Sequence, residues 1–136
     1  LERCAALGGK TIVFGSGTSR NIPQGYSRQK ARQDILKFLD ICANAIAVNS
    51  YDLKIAIEPL NTSESNFLNT LAEAHDIVTN LGNDLIGLIV DCFHMCQQTT
   101  DYWTELEQVM DRVIHVQIVE PESRRAPGTD IKNPFD

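Results

Sequence analysis

The sequence lacks several features that would assign it to a common functional class. No apolar run approaches the ~20 residues that a membrane-spanning helix needs. There is no CxxC motif, and the GxxxxGK[ST] and GxGxxG patterns that hold phosphates and dinucleotides are also absent. Basic residues form no long stripe, and the net charge is −6. These absences argue against a membrane protein, a nucleotide-binding loop and a nucleic-acid-binding surface.

Cysteine usage is equally uninformative about metal or disulfide chemistry. The four cysteines, Cys4, Cys42, Cys92 and Cys96, show no secretory pattern. They predict reduced thiols in a cytoplasmic protein. Cys92 and Cys96 lie in one short segment, whereas structural zinc needs four ligands from two segments.

The length and composition suit one compact unit. The chain has 136 residues, of which 43% are hydrophobic and 22% charged. These values predict a single domain over residues 1–136. The opening segment LERCAALGGK resembles the last turns of a helix closed by Gly8 and Gly9. We therefore expect a fragment or a processed chain.

Short β-rich runs alternate with longer helical runs. Apolar periodicity predicts a β-α-β-α-β-α-β order and a parallel sheet with right-handed crossovers. A doubly wound sheet and a segment of a barrel both fit this order. The predicted strands are 10–15, 52–58, 85–91 and 114–119; the predicted helices are 27–49, 70–82 and 100–110; and 120–136 is predicted to be a loop or irregular tail.

Polar side chains stand where three of the predicted strands end. They are Glu58, Asp91, and Gln117 with Glu120. In parallel α/β folds this edge of the sheet is where ligands bind. Carboxylates that meet there suit a divalent cation and suit proton transfer beside a carbonyl. The alternative is that Glu58 and Asp91 only cap the helices that follow them.

Three further residues in predicted loops could reach the same edge. His94 lies in the loop DCFHM and Glu64 in the loop EPLNTSESN. Both could contact a ligand, or they could be ordinary surface groups. The segment GSGTSR is either a glycine turn or a place where backbone N–H groups and Arg20 meet an anion.

These motifs together resemble a known family. The segments IAIEPLN, GLIVDCFHM and IHVQIVEPESRRAPG resemble signatures of the sugar phosphate isomerase/epimerase family, and FGSGTSRNIPQG resembles its fourth-strand segment. That family is a xylose isomerase-like TIM barrel and includes ketose 3-epimerases. The resemblance implies an α/β fold of parallel (β/α) units, about half of a TIM barrel corresponding to strands 4 to 7. Dimerisation is one way in which such a partial barrel could be completed.

The resemblance also implies roles for single residues. Glu58 corresponds to a metal-binding carboxylate that acts as the catalytic acid and base, and Asp91 corresponds to a second metal ligand. Gln117 stands where the family usually has the second His of His-x-His, which binds metal. The residues that would hold the sugar are Glu64, His94 and Arg124, with Arg125 as an alternative to Arg124.

The implied reaction is proton transfer beside a ketose carbonyl through an enediolate. The expected cofactor is a divalent metal, Mn²⁺ before Mg²⁺, Co²⁺ or Zn²⁺, and the expected partners are a sugar or sugar phosphate and further copies of the chain. No nucleic acid or membrane partner is expected. A DNA-repair nuclease related to this family would need a three-zinc cluster rich in histidine. The chain has only three histidines, which argues against that function.

A non-catalytic alternative remains open at this point. The chain could be a half-barrel remnant that binds a small ligand or only assembles as a homodimer. Gln117 favours this alternative. The family's fourth metal ligand is a Glu whose position would lie past Asp136, and its absence from residues 1–136 favours the same alternative.

Overall fold

The computed structural model of the chain describes residues 1–129. Helix α1 spans Glu2–Ala6, and β1 spans Thr11–Phe14. A 3₁₀ turn, Thr18–Arg20, leads to helix α2. The remaining elements in chain order are α2 (Arg28–Val48), β2 (Lys54–Ile57), α3 (Leu71–Leu81), β3 (Ile86–Asp91), α4 (Cys92–Cys96), α5 (Tyr102–Glu107), a 3₁₀ turn (Met110–Arg112) and β4 (Val113–Gln117).

The four strands form one parallel sheet in the order β1-β2-β3-β4. This confirms the predicted partial (β/α) barrel architecture, because every crossover between neighbouring strands contains helix. Strand β3 is buried along its whole length, as a central parallel strand with covered faces should be. Among the described residues, β1 and β4 each pair with a neighbour on one side only.

The long helices begin where their capping residues predict. The Ser27 side chain accepts a hydrogen bond from the Lys30 N–H, and the Thr70 side chain accepts one from the Glu73 N–H. Helices α2 and α3 pack their apolar sides onto the sheet. The core members from these helices are Ala31, Leu39, Ala43, Ile46, Leu71, Ala74, Ile77 and Val78.

Two predicted segments differ from the structure. The DCFHM segment was predicted as a loop, but it forms helix α4 because the Asp91 side chain caps its first turn. The predicted helix over 100–110 is shorter. It begins after Asp101 and ends at Glu107, and a 3₁₀ turn follows after a break.

Strand β4 carries an irregularity that a glycine permits. Leu88 pairs with Val113 and Ile89 pairs with His115, so Ile114 is an additional residue in the ladder. A Cβ on Gly87 would lie 2.7 Å from Ile114 Cγ2, so only glycine lets the two strands approach this closely.

The predicted tail divides at the limit of the described residues. Residues 120–129 contain no helix or strand, and residues 130–136 lie outside the described part. Within residues 1–129, no helix combines the length and apolarity needed to cross a membrane.

Candidate metal centre

Glu58 follows β2 directly and is held between two strand ends. Its backbone N–H donates to Phe14 O at 3.2 Å, and the residue is 8% exposed. Gly15, at the end of β1, leaves the space that this carboxylate fills, since a Cβ on Gly15 would lie 1.6 Å from Glu58 Oε2. Burial first, and then the nearby Asp91 charge, raises the pKa of Glu58 to about 7.

Asp91 is the last residue of β3. Its Oδ1 accepts a hydrogen bond from the Phe93 N–H at 2.8 Å, which caps helix α4. Asp91 therefore does cap the helix that follows it, as the capping alternative predicted. Asp91 also faces Glu58, since a carboxylate oxygen of each lies within 4.8 Å of the other, and this proximity contributes to the raised pKa of Glu58.

His94 lies in helix α4, not in the loop predicted for it. The ring is almost fully buried, with Nε2 3.9 Å from Glu58 Oε1. Its Nδ1 accepts a hydrogen bond from the backbone N–H of Asn61 at 3.2 Å. Burial lowers the pKa of His94, so the ring is neutral near pH 7.

The three side chains form a compact group of possible metal ligands. Glu58, Asp91 and His94 each offer one ligand atom, and these atoms lie within 4.8 Å of one another. Two neighbouring buried carboxylates repel each other, and a divalent cation between them would remove that repulsion. The chemistry of this donor set therefore fits a hard divalent metal.

Glu64 and Arg124 meet beside this group although 60 residues separate them in sequence. Arg124 Nη1 donates to Glu64 Oε1 at 3.1 Å, and the guanidinium lies 4.3 Å from the centre of the Phe93 ring. The positive charge of Arg124 partly opposes the rise in the pKa of Glu58. Arg124 has a positive φ of 55°, which is a strained backbone conformation for a residue other than glycine.

Gln117 ends β4 and pairs in register with Asp91. The residue is half-buried, whereas His115, two positions earlier on the same strand, is exposed. The backbone position of Gln117 beside Asp91 is compatible with a ligand, but no contact of its amide identifies a metal role. That role remains a prediction.

Glu120 is buried, and its carboxylate accepts hydrogen bonds from its own loop. Its Oε1 accepts hydrogen bonds from the backbone N–H groups of Gly128 and Thr129, the latter at 3.1 Å. It therefore closes the loop of residues 120–129, which carries Arg124. Oε2 of the same carboxylate is buried without a hydrogen-bond partner among the described residues.

Arg20 has a structural position, because backbone carbonyl oxygens occupy the guanidinium that the sequence suggested for an anion. The guanidinium is buried, and it donates to Phe14 O at 2.9 Å and to Glu58 O at 2.6 Å. It therefore ties the ends of β1 and β2 together from within the protein. Desolvation lowers the pKa of Arg20 to about 10, so the group stays charged at neutral pH.

Two residues of this centre were not singled out from the sequence. Gly15 was considered only for its turn geometry, and its close approach to Glu58 is a tertiary contact that no local pattern shows. Asn61 could have been identified from the sequence, because an Asn side chain in a loop commonly accepts hydrogen bonds from the backbone N–H groups two and three residues later. In this structure those donors are Ser63 and Glu64.

Comparisons with known proteins agree with this architecture. A model of the xylose isomerase-like TIM barrel family matches residues 1–135. A probable ketose 3-epimerase from Synechocystis sp. is 32% identical over 79 residues, which are 58% of this chain and 27% of the relative. The D-psicose 3-epimerase of Enterocloster bolteae is 32% identical over 77 residues, 57% of this chain and 25% of the relative.

A solved structure shows the same fold over nearly the whole chain. The apo form of a 3-keto-D-glucoside 4-epimerase from E. coli superposes with a TM-score of 0.80 at 23% identity, covering 96% of this chain and 51% of that one. The chain thus spans about a quarter of the length of these curated relatives and about half of this solved structure.

Proposed function

Because this chain belongs to the xylose isomerase-like TIM barrel family, we propose that it carries much of a divalent-metal site for a ketose or ketose phosphate. In the proposed reaction, which is an isomerisation or epimerisation, a proton moves beside the substrate carbonyl. Residues 1–136 are proposed to form one partial barrel domain, and we propose that further copies of the chain or further barrel segments complete the enclosure.

The observation that carries this proposal is the buried group of Glu58, Asp91 and His94. In the metal-free chain, burial and the Asp91 charge raise the pKa of Glu58 to about 7. A bound cation would lower this pKa, so that the carboxylate is available to take a proton from the substrate and return it. A divalent cation held by Glu58 and Asp91, with Gln117 as a third oxygen ligand, would polarise the substrate oxygens; we propose Mn²⁺.

The other residues have binding roles in this proposal. Glu64 and Arg124 lie beside the carboxylates and pair with each other, so a sugar hydroxyl group could bridge or replace their contact. His94 is buried with one nitrogen directed at Glu58, and it would contact a substrate oxygen. The ketose 3-epimerase names of the curated relatives support a ketose as substrate class.

The second candidate is a non-catalytic partial barrel, and Gln117 is the observation that favours it. An uncharged amide is a weaker metal ligand than an imidazole or a carboxylate. Strand β4 also has only one neighbouring strand among the described residues, whereas β2 and β3 each have two. Gln117 on β4 is therefore held less firmly than Glu58 and Asp91.

Calorimetric titration of the chain with Mn²⁺ tests the proposal. We expect saturable binding that disappears in Glu58→Gln and persists in Glu107→Gln, which neutralises an exposed carboxylate on α5. Ketose epimerisation would then be assayed with Mn²⁺ present. Failure of the unchanged chain to bind Mn²⁺ would leave the non-catalytic candidate.

A further inference from the structure

His94 offers a ring nitrogen to the metal group, but its hydrogen bonds restrict which nitrogen can do so. The backbone N–H of Asn61 points to Nδ1 at 3.2 Å. A backbone N–H is always a donor, so Nδ1 must present its lone pair. A neutral imidazole then carries its hydrogen on Nε2, the nitrogen that lies 3.9 Å from Glu58 Oε1.

The Asn61 side chain enforces the same arrangement. Its Oδ1 accepts from the N–H groups of Ser63 at 3.0 Å and Glu64 at 3.2 Å, which fixes the orientation of the amide. The NH₂ end must therefore face the other way, and it lies 3.0 Å from His94 Nδ1. Two donors thus converge on one lone pair, and Asn61 itself is 2% exposed.

A ring nitrogen that carries a hydrogen has no free lone pair for a metal. We propose that Asn61 is a positioning residue that fixes His94 with its hydrogen on Nε2, so that His94 donates a hydrogen bond to a substrate oxygen and is not the third metal ligand. This inference rests on the proposed function for the identity of the acceptor, a carbonyl or hydroxyl oxygen of the ketose.

Asn61 has a second contact that gives it the same role for another residue. Its Nδ2 lies 3.4 Å from Glu64 Oε1, the oxygen that also accepts from Arg124. The NH₂ group of Asn61 therefore contacts both His94 Nδ1 and Glu64 Oε1, and can orient both side chains.

The position of the ring hydrogen is measured by long-range ¹H–¹⁵N NMR of the metal-free chain. The chain has three histidines, so the signals of His94 are assigned by their loss in His94→Gln. We expect hydrogen on Nε2 and a lone pair on Nδ1. In Asn61→Asp a carboxylate oxygen replaces the NH₂ that faces Nδ1, while the backbone N–H of residue 61 still points to the same nitrogen. The acceptor and the donor then compete, and we expect hydrogen to appear on Nδ1 in part of the population.

Ser63→Ala is the matched control. It removes the hydroxyl that also donates to Asn61 Oδ1 but keeps both backbone donors, so the amide stays oriented and the wild-type tautomer should remain. Addition of Mg²⁺, which is diamagnetic, should leave the hydrogen on Nε2.

Two results would overturn the tautomer assignment: hydrogen on Nδ1 in the unchanged chain, or loss of the Nε2 hydrogen on adding Mg²⁺. An unaltered tautomer in Asn61→Asp would overturn the positioning role of the Asn61 side chain, because the backbone donor alone would then suffice. The first two results need no variant, so the test survives if Asn61→Asp fails to fold. Absence of metal binding together with hydrogen on Nε2 would contradict the proposed function but leave the tautomer assignment standing.

Discussion

Two neighbouring parts of the sheet differ in how firmly they hold their functional side chains. We call the residues at the carboxyl ends of β2 and β3, namely Glu58, Asn61, Asp91 and His94, the inner rim; all four are buried. The edge strand is β4, where His115 and Val116 are exposed and Gln117 is half-buried. The inner rim grows from strands with neighbours on both sides, whereas β4 is paired on one side among the described residues.

Burial, more than residue type, distinguishes the inner rim, where the candidate ligands are held in place, from β4, where they are not. At the inner rim, a carboxylate has its pKa raised and a histidine has its tautomer restricted, because water is excluded and each neighbour is fixed. On β4, His115 is exposed and Gln117 is only half-buried, so water screens charges there more strongly. The predictions below test this difference, beginning with the largest expected effect.

Gly15→Ala should be the most damaging change at the inner rim. Its new methyl group would occupy the place of Glu58 Oε2, so the carboxylate must leave its buried position. We expect a loss of about 2–4 kcal/mol in the free energy of unfolding. In a Glu58→Ala background the same change should cost less than about 1 kcal/mol, because the space is then free. Urea unfolding of the four proteins measures this; equal costs in both backgrounds would refute the contact.

Val90→Ala and Val116→Ala compare the two regions with one residue type. The two valines pair in register on β3 and β4, but Val90 is 3% exposed and Val116 is 52% exposed. We expect Val90→Ala to lower the free energy of unfolding by about 2 kcal/mol. Val116→Ala should change it by less than about 0.5 kcal/mol. Similar losses for both would mean that β4 is covered in solution, as it would be in a dimer.

The pH dependence of stability should reveal the raised pKa of Glu58. The folded chain holds this proton up to about pH 7, compared with an ordinary value of 4.5. The folded state is therefore favoured in full below pH 4.5, and this contribution is lost as pH rises through 7. We expect Glu58 to account for a decrease of about 1–2 kcal/mol across that window in metal-free buffer, less than the full shift implies because water reaches part of the group.

Glu58→Gln isolates this contribution. The lowered pKa of His94 acts in the opposite direction as pH rises, so the measured quantity is the difference between the two proteins. Glu107→Gln should leave the decrease unchanged. If wild type and Glu58→Gln have parallel stability curves, the inner rim does not shift this carboxylate.

Gln117→His addresses the edge strand directly and should have the smallest effect. If the side chain at 117 reaches the cation, an imidazole should bind Mn²⁺ about tenfold more tightly than an amide does, equivalent to about 1.4 kcal/mol. His115→Gln is the control on the same strand and should leave the affinity unchanged. No gain from Gln117→His would place the metal entirely on the inner rim.

The sequence predicted the order of strands and helices because their periodicity and capping residues are local. Ser27 and Thr70 cap helices as their positions suggested, and the alternation of elements led correctly to a parallel sheet. Helix α4 was missed because its five residues are too few to show periodicity. Its start depends on Asp91, which was interpreted mainly as a ligand.

The candidate site was predictable in its residues but not in its contacts. Glu58 and Asp91 stood out as acids at strand ends, and the structure brings them together with His94. The buried position of Arg20 was not predictable, since its partners are backbone oxygens far along the chain. The dependence of Glu58 on Gly15 likewise arises only when β1 and β2 pair.

The strand order has a consequence for how the chain folds. Thr11 pairs with Lys54, Ile55 with Ile86, and Leu88 with Val113, so each strand meets the one before it in the sequence. Each addition closes a loop of similar size, and the entropy of closure changes slowly with loop length. Within residues 1–129, each strand pairs with its neighbour in the sequence and needs no partner from farther along the chain. The sheet can therefore grow one strand and helix at a time, in the order in which a ribosome releases them.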